Sequence, residues 1–213
     1  MIEKDQIDGL ILDVDGTLWN STGIVAKAWT RAVRENGCPE RTVTPRMLQA
    51  LFGRTMDVIG ANLLPDLTVE HRSRIMDACC VYEQQALEED ECRICYPGVE
   101  ETIRELSGVL PLFIVSNCQK GYIELFLEKT GLGSYIKDIE CYGNTGKGKS
   151  DNIRLLMERN DLKSPVYVGD TQGDADAAKG AGIPMIFAKY GFGTVDHAEA
   201  EISTFPELKE MFG

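Results

Sequence analysis

Histidine is nearly absent from this sequence, with two in 213 residues, and no apolar run approaches the ~20 residues that a membrane span requires. The first shortage removes the side chain that most often serves as general base and transition-metal ligand. His71 and His197 also lack metal-like spacing to any cysteine pair, so zinc is not expected. Positive charge is scarce as well: 22 Lys and Arg stand against 34 Asp and Glu, for a net charge of −12. That balance excludes the basic stripe a nucleic-acid partner needs. It also means that an anionic ligand is repelled at long range unless a cation and local lysines reverse the field. Seven cysteines, an odd number scattered along a chain whose start (Met1-Ile2-Glu3-Lys4-Asp5) lacks the basic-then-apolar pattern of a signal peptide, read as free thiols. The expectation is a cytoplasmic protein without a membrane partner. Cys92-Arg93-Ile94-Cys95 is a lone CxxC without the second ligand pair of a zinc site.

What is present is an ordinary globular composition, 43% hydrophobic and 26% charged. Its most informative segment is Leu10-Ile11-Leu12-Asp13-Val14-Asp15-Gly16-Thr17-Leu18. A short apolar run bounded by glycine reads as a parallel strand covered by helices on both faces. Side chains two apart on a strand share a face, so Asp13 and Asp15 are expected together where the strand ends and the chain turns at Gly16-Thr17. Ligands of open α/β sheets bind there, beyond the carboxyl ends of the strands. Two close carboxylates need a cation, or a proton on one of them.

Residues 22–87 interrupt the strand–helix alternation. Ile24, Val25, Ala28, Trp29, Ala32 and Val33 mark one helical face, with Gly37 as its stop. Thr44-Pro45 reads as an N-cap followed by Pro at the first helical position, a third helix covers Met56 to Leu64, and Thr68 opens a long fourth. Glu88-Glu89-Asp90-Glu91 reads as solvated linker. From Tyr96-Pro97-Gly98 onward the pattern predicts helix 99–107, strand 112–115, helix 119–129, strand 136–141, helix 151–159, strand 166–168, helix 174–180, strand 185–188 and a closing helix over 206–212. The expected architecture is therefore α/β: a Rossmann-like three-layer α/β/α core with a parallel sheet, residues 1–19 and 92–213, and an inserted helical subdomain at 20–91.

Three further segments end predicted strands in polar turns. Phe113-Ile114-Val115-Ser116-Asn117 offers a hydroxyl and backbone amides that can hold a phosphate oxygen before a helix. Cys118 follows at once and places an oxidisable thiol beside that turn. In Gly146-Lys147-Gly148-Lys149-Ser150-Asp151 either lysine can reach a site as a point charge; Lys149, just before the helix start, is the better placed. Val166-Tyr167-Val168-Gly169-Asp170-Thr171-Gln172-Gly173-Asp174 brings two carboxylates to a helix entrance. Asp174 there also suits the helix dipole. Hard carboxylate ligands without usable His or Cys point to Mg²⁺ beside a phosphate cradle. One way to cleave a phosphate monoester is through an aspartate nucleophile, with a second carboxylate as acid and base and metal and lysine offsetting charge.

With these residues in view, the chain resembles the haloacid dehalogenase-like hydrolases over nearly its whole length, in particular the phosphoglycolate phosphatase and β-phosphoglucomutase branch. Asp13-Val14-Asp15-Gly16-Thr17 matches the first motif of that family, Ser116 the second, a lysine the third and Gly169-Asp170-x-x-x-Asp174 the fourth. The resemblance implies that Asp13 is nucleophile and metal ligand. Asp15 is then the general acid/base and meets the metal through its backbone carbonyl. Ser116 holds a phosphoryl oxygen supported by Thr17 and Asn117, Lys149 neutralises charge, and Asp170 and Asp174 complete the metal site. It also implies a helical cap in which Arg54, within Phe52-Gly53-Arg54-Thr55, either clasps a second anionic group or is an ordinary surface arginine. The expected activity is Mg²⁺-dependent hydrolysis of a small phosphorylated metabolite. The alternatives are a phosphosugar mutase or, of a different class, a non-catalytic phosphate-binding protein. An Asp at the second position of the first motif resembles phosphatases and mutases rather than dehalogenases. Asn20-Ser21 departs from the usual acidic-then-Ser pattern, which leaves the substrate open.

Overall fold

The computed structural model describes Ile2, residues 6–91 and residues 93–213; Cys92 of the CxxC lies outside the described residues. Six strands form one parallel sheet in the order β3-β2-β1-β4-β5-β6: β1 (Leu10–Leu12), β2 (Leu112–Ser116), β3 (Asp138–Cys141), β4 (Val166–Gly169), β5 (Met185–Ala188) and β6 (Ala200–Ile202). In β1, β2, β4 and β5 every residue is buried, the pattern of strands covered on both faces. In register, Leu12 stands beside Ile114 on one side and Val168 on the other, so the ends of β1, β2 and β4 lie level.

One face of the sheet packs Ile11, Phe113, Tyr167 and Met185 against α8 (Lys149–Arg159) and α9 (Gln172–Ala181). The other packs Leu10, Leu12, Ile114 and Val168 in a core that includes α5 (Val99–Leu106), α6 (Tyr122–Thr130) and α10 (Glu207–Phe212). The result is a Rossmann-like α/β/α sandwich. Besides a 3-10 turn at Gly133–Tyr135, two elements were absent from the sequence expectation. β6 is a three-residue edge strand, and α7 (Tyr142–Thr145) is a single turn, both too short to carry a periodic signal.

Between β1 and β2 the chain forms α1 (Thr22–Glu35), α2 (Pro45–Gln49), α3 (Met56–Leu63) and α4 (Val69–Glu89), with no strand among them. Thr44 and Thr68 accept hydrogen bonds from Met47 N and His71 N and so start α2 and α4, and Gly37, at φ +104°, follows the end of α1. The acidic run differs from its expectation: Glu88 and Glu89 belong to α4, because Leu87 is buried and carries the helix past them. The outgoing and returning chains run side by side, with Asn20 N donating to Ile94 O and Tyr96 N to Leu18 O. Among the described residues, no helix is long and apolar enough to cross a membrane.

Candidate active site

The strand order places β1 centrally, with crossovers leaving it in opposite directions, and a crevice forms beyond strand ends at such a switch point. The four polar turns meet there. β1 ends at Leu12, earlier than the sequence suggests, so Asp13 and Asp15 belong to the turn and strand alternation no longer aligns them. Asp13 is buried, its amide donating to Val168 O at 2.9 Å, while its carboxylate joins those of Asp170 and Asp174. One oxygen from each of the three lies within 4.8 Å of the others. Asp15 turns the other way. Its Oδ1 accepts from Ser21 Oγ at 2.7 Å and from the Tyr122 hydroxyl at 2.8 Å.

Lys149 is the cation of the site. It opens α8 rather than preceding it, is 4% exposed, and holds Nζ 3.0 Å from Asp13 Oδ1 and 2.5 Å from Asp174 Oδ1. Lys147, two residues earlier, is exposed. Burial alone would lower the Lys149 ammonium pKa, but Asp13 and Asp174 raise it above the usual value, and the charge persists. Burial raises the Asp13 carboxyl, against the pull of Lys149. It raises Asp170 strongly too, with the charges of Asp174 and Asp13 adding to it.

α9 begins at Gln172, not at Asp174, and a reciprocal cap starts it: Asp174 N donates to Thr171 Oγ1, and Thr171 N donates to Asp174 Oδ2 at 2.9 Å. Both oxygens of Asp174 are therefore engaged. Asp170 Oδ2 accepts from Phe192 N at 2.6 Å, and Thr17 Oγ1 lies 3.4 Å from Asp170 Oδ1. Asp13 Oδ1 is buried and ion-paired with Lys149 Nζ 3.0 Å away. Three buried carboxylates converging on a single ammonium leave an excess of negative charge that fits a hard divalent cation. The Asp15 side chain stands apart from this triad.

Ser116 ends β2, is buried, and lines a cavity with Asn117, Asp15 and Arg54. Asn117 is engaged with the helical segment: its Nδ2 donates to Gly53 O at 2.8 Å. Arg54 is exposed at the rim of that cavity. Phe52 bridges the same gap, 6.2 Å from Trp29 and 6.5 Å from Phe192 between ring centroids. Burial pushes the Asp15 carboxyl up to about 7, opposed by its bonds from Ser21 and Tyr122. α6 starts at Tyr122, later than expected, because Gly121 takes φ +90° before it. That shift is what brings the Tyr122 hydroxyl to Asp15.

Several site residues escaped the sequence reading. Tyr122, Glu83 and the loop Tyr190-Gly191-Phe192 carry no motif, and only folding brings them to the motif residues. Gly191 is informative afterwards, since a Cβ there would stand 2.2 Å from Asp170 Cβ. Cys118 is buried against Cys141 at the end of β3, and burial raises its thiol well above the usual range.

Three comparisons bear on the family and the fold. The chain is similar to the phosphoglycolate phosphatases of Vibrio vulnificus strain CMCP6, at 27% identity over 96% of this chain and 92% of the relative, and of Vibrio parahaemolyticus, at 28% over 98% and 93%. Its fold matches the crystal structure of a predicted phosphoglycolate phosphatase from Haemophilus somnus 129pt with a TM-score of 0.84, at 20% identity over 97% of this chain and 98% of that one. A family model described as haloacid dehalogenase-like hydrolase matches residues 10–188. With that match spanning the strands and turns just described, the chain belongs to the haloacid dehalogenase-like hydrolases.

Proposed function

We propose that this chain is a Mg²⁺-dependent phosphatase that hydrolyses a small phosphate monoester through an aspartyl-phosphate on Asp13. The observation that carries the reading is Asp13 itself: buried, 3.0 Å from a buried lysine and grouped with two more buried carboxylates. The phosphoglycolate phosphatases among its relatives support the same reaction class.

Asp13 attacks phosphorus and the ester P–O bond breaks. Asp15, protonated, gives its proton to the departing alkoxide. As a carboxylate it then takes a proton from the water that attacks phosphorus and frees Asp13. A carboxyl held near 7 can serve in both steps. Lys149 offsets charge on the transferring group, Ser116 and the amides after it cradle its oxygens, and Asp174 holds Lys149 in place while capping α9. Asp13 and Asp170, with the backbone carbonyl of Asp15, would hold Mg²⁺, which when bound supplies Lewis-acid charge opposite the lysine. Residues 20–91 act as a cap. The cavity between them and the strand ends, lined by Asp15, Ser116 and Glu83, has only about 20 Å³ free, so the cap must lift to admit a substrate there.

Phosphate release from a panel of small esters, with Mg²⁺ and with EDTA, tests this. Wild type should release phosphate only with the metal, and Asp13→Asn should lose at least about 10³-fold in kcat. Equal rates for the two chains would rule out Asp13 as nucleophile.

A further inference from the structure

The proposed reaction leaves unused a buried acid at its own cavity. Glu83, on α4, is 3% exposed and reaches the catalytic cavity from the helical side. Its carboxyl is held from two directions: Trp29 Nε1 donates to Oε2 at 2.7 Å, and Gln119 Nε2 donates to Oε1 at 3.0 Å. Both donors are neutral. Asp15 faces the same cavity, and its charge adds to burial in pushing Glu83 up to about 8.

Two hydrogen bonds fill only part of what a carboxyl can accept or donate. Keeping such a group inside a protein is costly unless a partner completes it. The same cavity also carries an apolar wall, Trp29, Phe52, Met56 and Ile59. A few polar groups converging with an apolar wall are how small-molecule sites orient a ligand. With the ester oxygen at Asp15 and the cavity widened as the cap lifts, the organic part of the substrate would extend toward Glu83.

We propose that Glu83 is the specificity-determining residue for the leaving group, accepting the hydroxyl of a polyol- or sugar-like phosphate ester and disfavouring a carboxylate-bearing one. A hydroxyl both donates and accepts, so it completes Glu83 in either protonation state. A carboxylate only accepts, so it completes Glu83 only in the protonated state, and it adds negative charge to a poorly screened cavity in which Asp15 becomes a carboxylate once its proton has gone to the leaving group. Arg54, at the solvent rim, is screened by water and does not cancel that repulsion. This inference rests on the phosphatase reading and names its substrate class.

Three esters of similar size separate the possibilities: glycerol 3-phosphate carries hydroxyls, 2-phosphoglycolate a carboxylate, and ethyl phosphate neither. Wild type should favour them in kcat/KM in the order glycerol 3-phosphate, ethyl phosphate, 2-phosphoglycolate. Glu83→Leu should cut the glycerol-to-ethyl ratio about tenfold, mostly through KM. Glu83→Gln should keep most of that ratio while narrowing the discrimination against 2-phosphoglycolate. A ratio unchanged in Glu83→Leu, or a wild-type preference for 2-phosphoglycolate, overturns the proposal. Calorimetric titration of the Asp13→Asn chain with the same esters reads the order without turnover, and tighter binding of 2-phosphoglycolate overturns it too. No phosphate from any ester with wild type and Mg²⁺ would sink the phosphatase reading instead, with the binding order still deciding for or against Glu83.

Discussion

Three buried carboxylates face a single ammonium at this site, and that imbalance shapes its chemistry. Lys149 touches Asp13 and Asp174, leaving Asp170 to be stabilised by the Phe192 amide and Thr17. The uncompensated charge suits a divalent cation, and burial together with the neighbouring carboxylates raises Asp13 and Asp170. Glu83 carries a separate consequence. Its carboxyl sits near 8 in the folded chain against an ordinary 4.5, raised by burial and by Asp15. Between those values the folded state binds more protons than the unfolded one, so stability from this group is complete below about pH 4.5 and lost as pH rises through about 8. Relative to wild type, Glu83→Gln should therefore gain in melting temperature from about pH 5 to about pH 8, by on the order of several degrees. A constant difference across that range would show that Glu83 does not titrate in this way.

At the level of elements, the site depends on where each strand stops and how tightly the following turn closes. Gly16 has φ +83°, and a Cβ on it would lie 2.1 Å from Asp170 Oδ2. Both the backbone and the space require glycine, so the first-motif turn and the fourth-motif carboxylate can approach only there. Gly16→Ala should destabilise the fold by about 1–3 kcal/mol from the backbone term alone. It should also displace Asp170, raising the Mg²⁺ concentration needed for half-maximal activity. Thermal unfolding and a Mg²⁺ titration check the two effects separately, and an unshifted Mg²⁺ dependence would deny that the contact matters.

On the scale of the whole molecule, the parallel sheet supplies a rigid rim of strand ends, and the helical segment closes over it through Asn117–Gly53 and the Phe52–Phe192 contact. The proposed Mg²⁺ site would join turns from β1 and β4, so the ion should stabilise the folded chain by mass action. At about a hundred times its dissociation constant a ligand adds ~2.7 kcal/mol. The melting temperature of wild type should rise accordingly with Mg²⁺, and Asp170→Asn should lose most of that rise. Equal shifts in both chains would place the ion elsewhere.

Much of this was legible in the amino-acid order. Local rules suffice for a buried strand, a capped helix or a turn, and so the alternation after Tyr96, Thr44 and Thr68 as caps, and the turns holding Asp13, Ser116, Lys149 and Asp170 could be read directly. Local rules fail where a residue's role lies in what it meets. Asp13 and Asp15 look equivalent in the sequence. Folding sends one to a carboxylate triad and the other to Ser21 and Tyr122, because β1 ends at Leu12 and frees the turn from strand alternation. Lys147 and Lys149 look alike in the sequence, but Lys149 opens α8 with its side chain buried, whereas Lys147 lies in the exposed loop before it. Glu83 lies 70 residues from Asp13 in the chain and reads as one more helical acid; the contact of α4 with Trp29 and Gln119 is what turns it into a cavity wall. Sequence alone thus determined the elements and the chemical inventory, since both follow from neighbours along the chain. Only the tertiary structure decided which carboxylates converge, which lysine pairs with them and which acid lines the cavity beside Asp15, because charge and burial depend on distances across the fold.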